Sequence, residues 1–191
     1  MFSKILAQNA DVWGWADLLN EYWIGHDREP FSKYWENPDL LSGFDWTQSN
    51  IFVTSISCPY ALNGEYVEPK YKEFIECAKK FAEVQIVIIG RDKNIIELQQ
   101  QRVRGNITLH KFKKYLDLLL EFNPIFVSQE NLYLYGKNYI NWLEIQLGLN
   151  ITQDTNLLDQ ILSADANKKY IQPVEDHWLD TVTKKASSKW R

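Results

Sequence analysis

The segment VQIVIIG, residues 84–90, constrains this chain most. A strand with one wet face alternates apolar and polar residues, so a nearly continuous apolar run predicts a strand buried on both faces, as in a parallel sheet covered by helices. Before it, PKYKEFIECAKKF, residues 69–81, has Pro at a helix start and Tyr71, Phe74, Ile75, Ala78 and Phe81 on one face, which predicts a helix. Earlier still, IFVTSIS, residues 51–57, is rich in β-branched residues and stops at Cys58-Pro59, giving a first strand. Strand, helix and strand in this order predict a right-handed crossover unit. Residues 92–104 predict a helix leaving the second strand, and residues 111–122 another with Leu116, Leu119 and Leu120 inward; residues 124–128 predict a short third strand. Residues 138–147 read as a helix ending at Gly148, after which the chain turns polar and irregular.

The N-terminal part reads differently. Val12, Trp15, Leu18, Leu19 and Tyr22 recur at helical intervals, with Asp11 as cap, so residues 10–24 predict an amphipathic helix. Residues 25–49, crowded with Gly, Pro, Asp and Asn but carrying Trp35, Phe44 and Trp46, predict an ordered loop pinned by aromatics. The whole pattern is α/β: three layers, with a mostly parallel central sheet and flanking helices. With 191 residues, one domain over 1–183 is expected, followed by a basic tail, KKASSKWR, from residue 184.

Charge and cysteine content narrow the function classes. A net charge of -4 argues against binding a phosphate backbone through clustered Lys and Arg, so no nucleic-acid partner is expected. Cys58 and Cys77 do not form a CxxC pair; two buried reduced thiols are the simpler reading, and zinc through thiolates is not expected. The N-terminus is broken by Asn, Asp and Gln before a long apolar run develops, so neither a signal peptide nor a membrane span is expected and the localisation reads as cytoplasmic. Trp13, Trp15, Trp23 and Trp35 suit either the core or a contact face for a protein partner or self-association, with the core slightly ahead.

The candidate site follows the buried strand, which ends in Gly-Arg-Asp where open α/β sheets bind ligands. Arg91 can grip a phosphate or carboxylate bidentately, and Arg102 and Arg104 join it if the helix brings them to one rim. An equal reading makes Arg91 and Asp92 a structural ion pair and leaves the other arginines solvated. His26, His110 and His177 have no metal-ligand spacing, Cys58 has no partner His, and Glu175, Asp176 and His177 read as a solvated turn.

From this strand onward the chain resembles sulfotransferases, whose strand ends in Arg-Asp-Pro or Arg-Asn-Pro before a helix. The resemblance implies that Arg91 holds the 3′-phosphate of the donor nucleotide, with Gln99 at the position where the family places a serine and Lys93 in place of the proline. NPIFVSQENLYLYGKNYINWLEIQLGLNI looks like the family's short strand, its turn at Glu130, Asn131 and Leu132, and its helix closing on Leu147-Gly148-Leu149. YIQPVEDHWLD, residues 170–180, is similar to the closing segment of some bacterial and phage members, and GHDREPFSKYWENPDLLSGFDW weakly resembles the loop before their second strand. If phage-encoded, the chain belongs to the host cytoplasm or the virion. The likeness spans about residues 20–180 and implies that His26 lies near the acceptor cleft. Two features depart from the family. No two of the eight glycines lie within six residues of each other, so no GxGxxG or GxxxxGK phosphate loop exists, and the fold reads as N-terminally reduced. Where the family's second strand supplies a catalytic histidine, this chain has Thr54-Ser55-Ile56-Ser57-Cys58-Pro59, with no general base. The catalytic residues are therefore unassigned. The first expectation is a pseudoenzyme with a binding, structural or assembly role and no cofactor. The second is a sulfotransferase using 3′-phosphoadenosine 5′-phosphosulfate, with its donor loop supplied elsewhere and Arg91, Gln99, Arg102 and Arg104 as nucleotide contacts. The third is a small anion- or nucleotide-binding module without chemistry.

Overall fold

A computed structural model describes residues 1–8, 12–21, 23–151, 155–164 and 180. Helices α1 (Phe2–Leu6) and α2 (Ser32–Glu36) precede a hairpin of β1 (Tyr60–Leu62) and β2 (Glu65–Val67). Helix α3 (Tyr71–Ala78) leads to β3 (Val87–Gly90), α4 (Lys93–Arg104), α5 (Leu109–Lys113) and α6 (Leu116–Leu120). The chain continues through β4 (Ile125–Ser128), α7 (Gln129–Tyr135), α8 (Lys137–Leu147) and α9 (Thr155–Ser163). The protein is mixed α/β. Its described strands form an antiparallel pair, β1 with β2, and a parallel pair, β3 with β4.

Strand β3 separates two cores. Val87 packs against a cluster with Phe2, Ile5, Val127, Leu132, Ile140 and Leu143, whereas Ile88 belongs to an aromatic cluster built on Phe31, Phe44 and Phe74. That is the alternation a pleated strand imposes on neighbouring residues. Burial is less complete than the apolar run predicts: Ile89 is 45% exposed and Phe126 in β4 is 55% exposed. The physical reason is incomplete cover on the sheet faces at these positions, since only a layer packed on a face buries the side chains that stand out from it.

Local chemistry accounts for the best-formed elements. Asp92 caps α4 by accepting from the N–H groups of Asn94 at 2.9 Å and Ile95 at 3.1 Å, and Gly105 closes it at φ 74°. Ser128 caps α7 through Asn131 N–H, and Gly148 ends α8 in the left-handed region. Asn63 and Gly64, with φ of 51° and 84°, make the tight turn of the β1–β2 hairpin.

Four elements differ from expectation. Residues 10–24 do not form the anticipated helix in their described part: Val12 bridges Ile51, Gly14 adopts φ +78° with Pro30 2.9 Å from where a Cβ would stand, and only Ala16–Leu18 turns, as a 3-10 helix. The three-residue spacing of Trp15 and Leu18 suits that tighter turn as well as an α-helix. Residues 51–57 are not a ladder strand either, because side chains take their backbone groups. Trp15 Nε1 donates to Val53 O at 2.8 Å, Ser55 N–H donates to Glu29 Oε1 at 3.1 Å, and Ile51 N–H donates to Ser49 Oγ at 3.1 Å. The helix expected over residues 111–122 breaks into α5 and α6 near Tyr115, whose hydroxyl bonds Glu68 at 2.6 Å. Residues 155–163, expected to be irregular, form α9 with Leu158 buried. The closing segment and the basic tail lie outside the described residues, apart from Asp180.

Between residues 13 and 81 the packing is dominated by rings. Trp35 stacks on Phe74 at 3.7 Å, Trp46 on Phe81 at 5.6 Å, and Phe31 meets Trp13, Tyr34, Phe44, Trp46, Phe52 and Phe74. Each indole N–H among these finds an acceptor: Trp13 on Gln48, Trp35 on Thr54 and Trp46 on Leu41 O. Buried rings therefore leave no donor stranded. Residues 25–49, expected as a loop, wind into α2 and three short 3-10 helices, His26–Arg28, Pro38–Gly43 and Trp46–Gln48; aromatics order the segment as its composition anticipates, while Trp23 stays 71% exposed.

Candidate functional site

The parallel register pairs Gly90 with Ser128, so both strands end side by side. Beyond them Asp92 N–H donates to Glu130 Oε1 at 3.0 Å, and Ser128 Oγ donates to Glu130 Oε2 at 3.2 Å. Glu130 thus ties the start of α4 to the start of α7. An open cavity of about 520 Å³ adjoins this edge, lined by Gly90, Phe126, Ser128, Asn131, Tyr139 and Trp142. The Tyr139 and Trp142 rings stack at 5.1 Å, and the Tyr139 hydroxyl accepts from Ser128 N–H at 2.8 Å.

The four predicted anion contacts do not gather in one place. Arg91 and Gln99 meet, with a guanidinium N–H donating to the glutamine oxygen. Gln99 therefore acts as acceptor to Arg91, and a phosphate held there would compete with its oxygen. Arg104 lies at the far end of α4, a helix of 12 residues and about 18 Å long, so it cannot share the rim with Arg91. Arg102 is exposed near that far end. The carboxylate of Asp92 serves as the cap of α4.

Arg104 instead joins a group that sequence spacing does not reveal. Its guanidinium donates to Ser57 Oγ at 3.2 Å and to Thr108 Oγ1 at 2.5 Å, and Thr108 N–H donates to Gln100 Oε1 at 2.8 Å. His26 Nε2 lies 3.0 Å from the same Ser57 oxygen, while His26 Nδ1 accepts from Ala61 N–H at 2.8 Å. An acceptor Nδ1 places the proton of a neutral imidazole on Nε2. Ser57 donates its own proton to Pro59 O at 2.9 Å, so both of its lone pairs face donors, His26 and Arg104. Burial, then the nearby Arg104 charge, push the His26 pKa down against an opposing pull from Asp27. The histidine is therefore neutral and a donor. It fills the place beside Ser57 where sequence reading found no base, yet it holds no lone pair with which to take the serine proton.

A second group went unread. Glu29 is 5% exposed and accepts from Phe31 N–H at 3.0 Å and Ser55 N–H at 3.1 Å. Burial raises its pKa to about 7, opposed by bonds from Thr54, Ser55 and Phe31. It fastens the aromatic loop to residues 54–55; one acidic residue before Pro30 gives no sequence signal of such a role.

The remaining candidates are placed as follows. Cys58 and Cys77 are buried free thiols, and burial, with Glu68 next, pushes the Cys58 pKa up, away from a reactive thiolate. His110 is exposed on α5, and Glu175, Asp176 and His177 lie outside the described residues. Among the described residues no group of His, Cys, Asp and Glu could hold a metal ion, and no helix is long and apolar enough to cross a membrane. Compared with protein-family models, with curated proteins and with solved structures, the chain matches none of them.

Proposed function

We propose that this chain is a three-layer, sulfotransferase-like α/β protein that works by binding and not by sulfuryl transfer. The observation that carries this reading is the hydrogen-bond state of His26 and Ser57. Among the described residues, the histidine beside the Thr54–Pro59 stretch, His26, is a committed donor, and the serine proton is already given to Pro59 O. A group transfer onto an acceptor hydroxyl needs a base there. The layering is supported by β3, whose neighbouring residues Val87 and Ile88 face different cores. A protein partner or a second copy is the occupant this role calls for, and Trp23, 71% exposed, is an aromatic of the N-terminal region open to one.

A second reading keeps the donor nucleotide: a sulfotransferase using 3′-phosphoadenosine 5′-phosphosulfate, with Arg91 and Gln99 at its 3′-phosphate. Favouring it are the juxtaposed ends of β3 and β4 and the adjoining cavity, although a 3′-phosphate would have to displace Gln99 from Arg91. Isothermal titration with 3′-phosphoadenosine 5′-phosphate separates the two. The binding role predicts no uptake at millimolar nucleotide. Micromolar binding that disappears in Arg91→Ala overturns it in favour of the enzyme.

A further inference from the structure

Several surface cations pair with carboxylates: Arg28 with Glu21, Lys93 with Glu97, Lys111 and Lys114 with Glu68, and Lys137 with Asp159. Arg104, more buried than these, has no carboxylate within ion-pair distance among the described residues. Its guanidinium donates to two neutral hydroxyls, Ser57 and Thr108. A partly buried charge without a counter-charge is costly, and proteins ordinarily place an opposite charge beside it.

The side chains around Arg104 form a cluster of hydrogen-bond donors. A guanidinium carries five N–H donors in one plane, and the hydroxyls of Ser57 and Thr108 take two of them. The Tyr66 ring lies 5.9 Å from the guanidinium carbon, a cation–π contact that covers one face and leaves the edge for a ligand. Thr108 Oγ1 accepts from Arg104, which leaves its hydroxyl proton to give. Ser57 Oγ, its own proton on Pro59 O, is the point where Arg104 and the Nε2–H of His26 converge, and it fixes the guanidinium in place.

We propose that Arg104, Ser57 and Thr108, with His26 behind Ser57, form a site for a tetrahedral oxyanion, a phosphate or sulfate that is free or the end group of an ester. The site is independent of the Arg91 end of α4 and does not rest on the reading above. The anion supplies the counter-charge that Arg104 lacks among the described residues, takes its remaining guanidinium donors as a fork, and accepts from the Thr108 hydroxyl. His26 holds the Ser57 oxygen in place as a neutral donor.

The test is calorimetric titration of the full chain with inorganic phosphate, inorganic sulfate and glycerol 3-phosphate. Saturable binding is expected, weakened at least about tenfold in Arg104→Met and retained in Arg91→Ala. Tighter binding of glycerol 3-phosphate than of phosphate identifies the esterified anion as the natural ligand, and the reverse order the free ion. Absence of saturable binding by all three, or binding lost in Arg91→Ala and kept in Arg104→Met, overturns the site. Should Arg104→Met fail to fold, phenylglyoxal labelling of the unaltered protein, read by peptide mass spectrometry, replaces it. Phosphate is expected to slow modification of Arg104 relative to the exposed Arg102, and equal rates with and without the anion refute the proposal. A purely structural clip between the His26 turn, Ser57 and α4 would lower stability on mutation but give no such protection.

Discussion

Residues 13–81 and residues 87–147 solve the same problem by different means. In the second region backbone groups are satisfied by a parallel ladder and by capped helices, so each element is set by its own residues. In the first, side chains do this work: indoles donate to carbonyls and side-chain oxygens, and Glu29 gathers the N–H groups of Phe31 and Ser55. Regular structure there is short, and order comes from rings packed at close range. The lesson is that irregular backbone is no sign of a weak region when its polar atoms are paired and its rings are buried.

The sharpest challenge to this comparison is a pair of core truncations. Phe31→Ala, at a ring 2% exposed and meeting six others, is expected to cost about 4 kcal/mol in urea unfolding, and Leu143→Ala, in the second core, about 3 kcal/mol. Because β3 is a wall of both cores, both variants should shift one shared transition. Two separate transitions, each moved by one variant alone, would break the picture.

Next in size is the pH response of the Glu29 fastening. A folded pKa of about 7 lies above the ordinary value of 4.5, so the folded state binds this proton more tightly than the unfolded chain. That contribution is fully present below about pH 4.5 and is lost as pH rises through 7, at most about 3 kcal/mol. Melting curves from pH 5 to 8 should show the decline, and Glu29→Gln should flatten it. An unchanged slope in the variant would assign the pH response to other groups.

Smaller effects belong to the regular region and its border. Asp92→Ala removes the cap of α4 and should cost about 1 kcal/mol, with faster hydrogen exchange confined to the first turn. Lys114→Ala removes one partner of Glu68, whose pKa the Lys114 and Tyr115 bonds hold down to about 2. Lys114 is exposed, so solvent screens the pair and the loss of stability should be the smallest of these, a difference that added salt should shrink.

Legibility in the sequence followed the same division. The apolar run at 84–90, Asp92 before α4, Gly105 after it and Gly148 after α8 act over a few residues, so strand, caps and helix could be read locally. Asn63-Gly64 is an equally local hairpin signal that the search for periodicity passes over. The helix expected around Trp15 was lost to a single φ at Gly14 and to a bridge with Ile51, 39 positions away from Val12. The site divides likewise. The contact of Arg91 with Gln99 lies within one strand-to-helix segment, whereas Arg104 meets Ser57 across 47 positions and His26 meets Ala61 across 35. No local pattern encodes such meetings, which depend on how the aromatic region packs beneath α4.

The crowding of rings also decides what light can report. Of the tryptophans within the described residues, Trp13, Trp15, Trp23, Trp35 and Trp46 all precede the hairpin, and Trp142, stacked on Tyr139, stands alone beyond it. Emission followed during unfolding is therefore weighted towards the aromatic region. Among the described residues, events around β3 and β4 are carried by Trp142 alone, so a Trp142→Phe variant isolates its share of the signal.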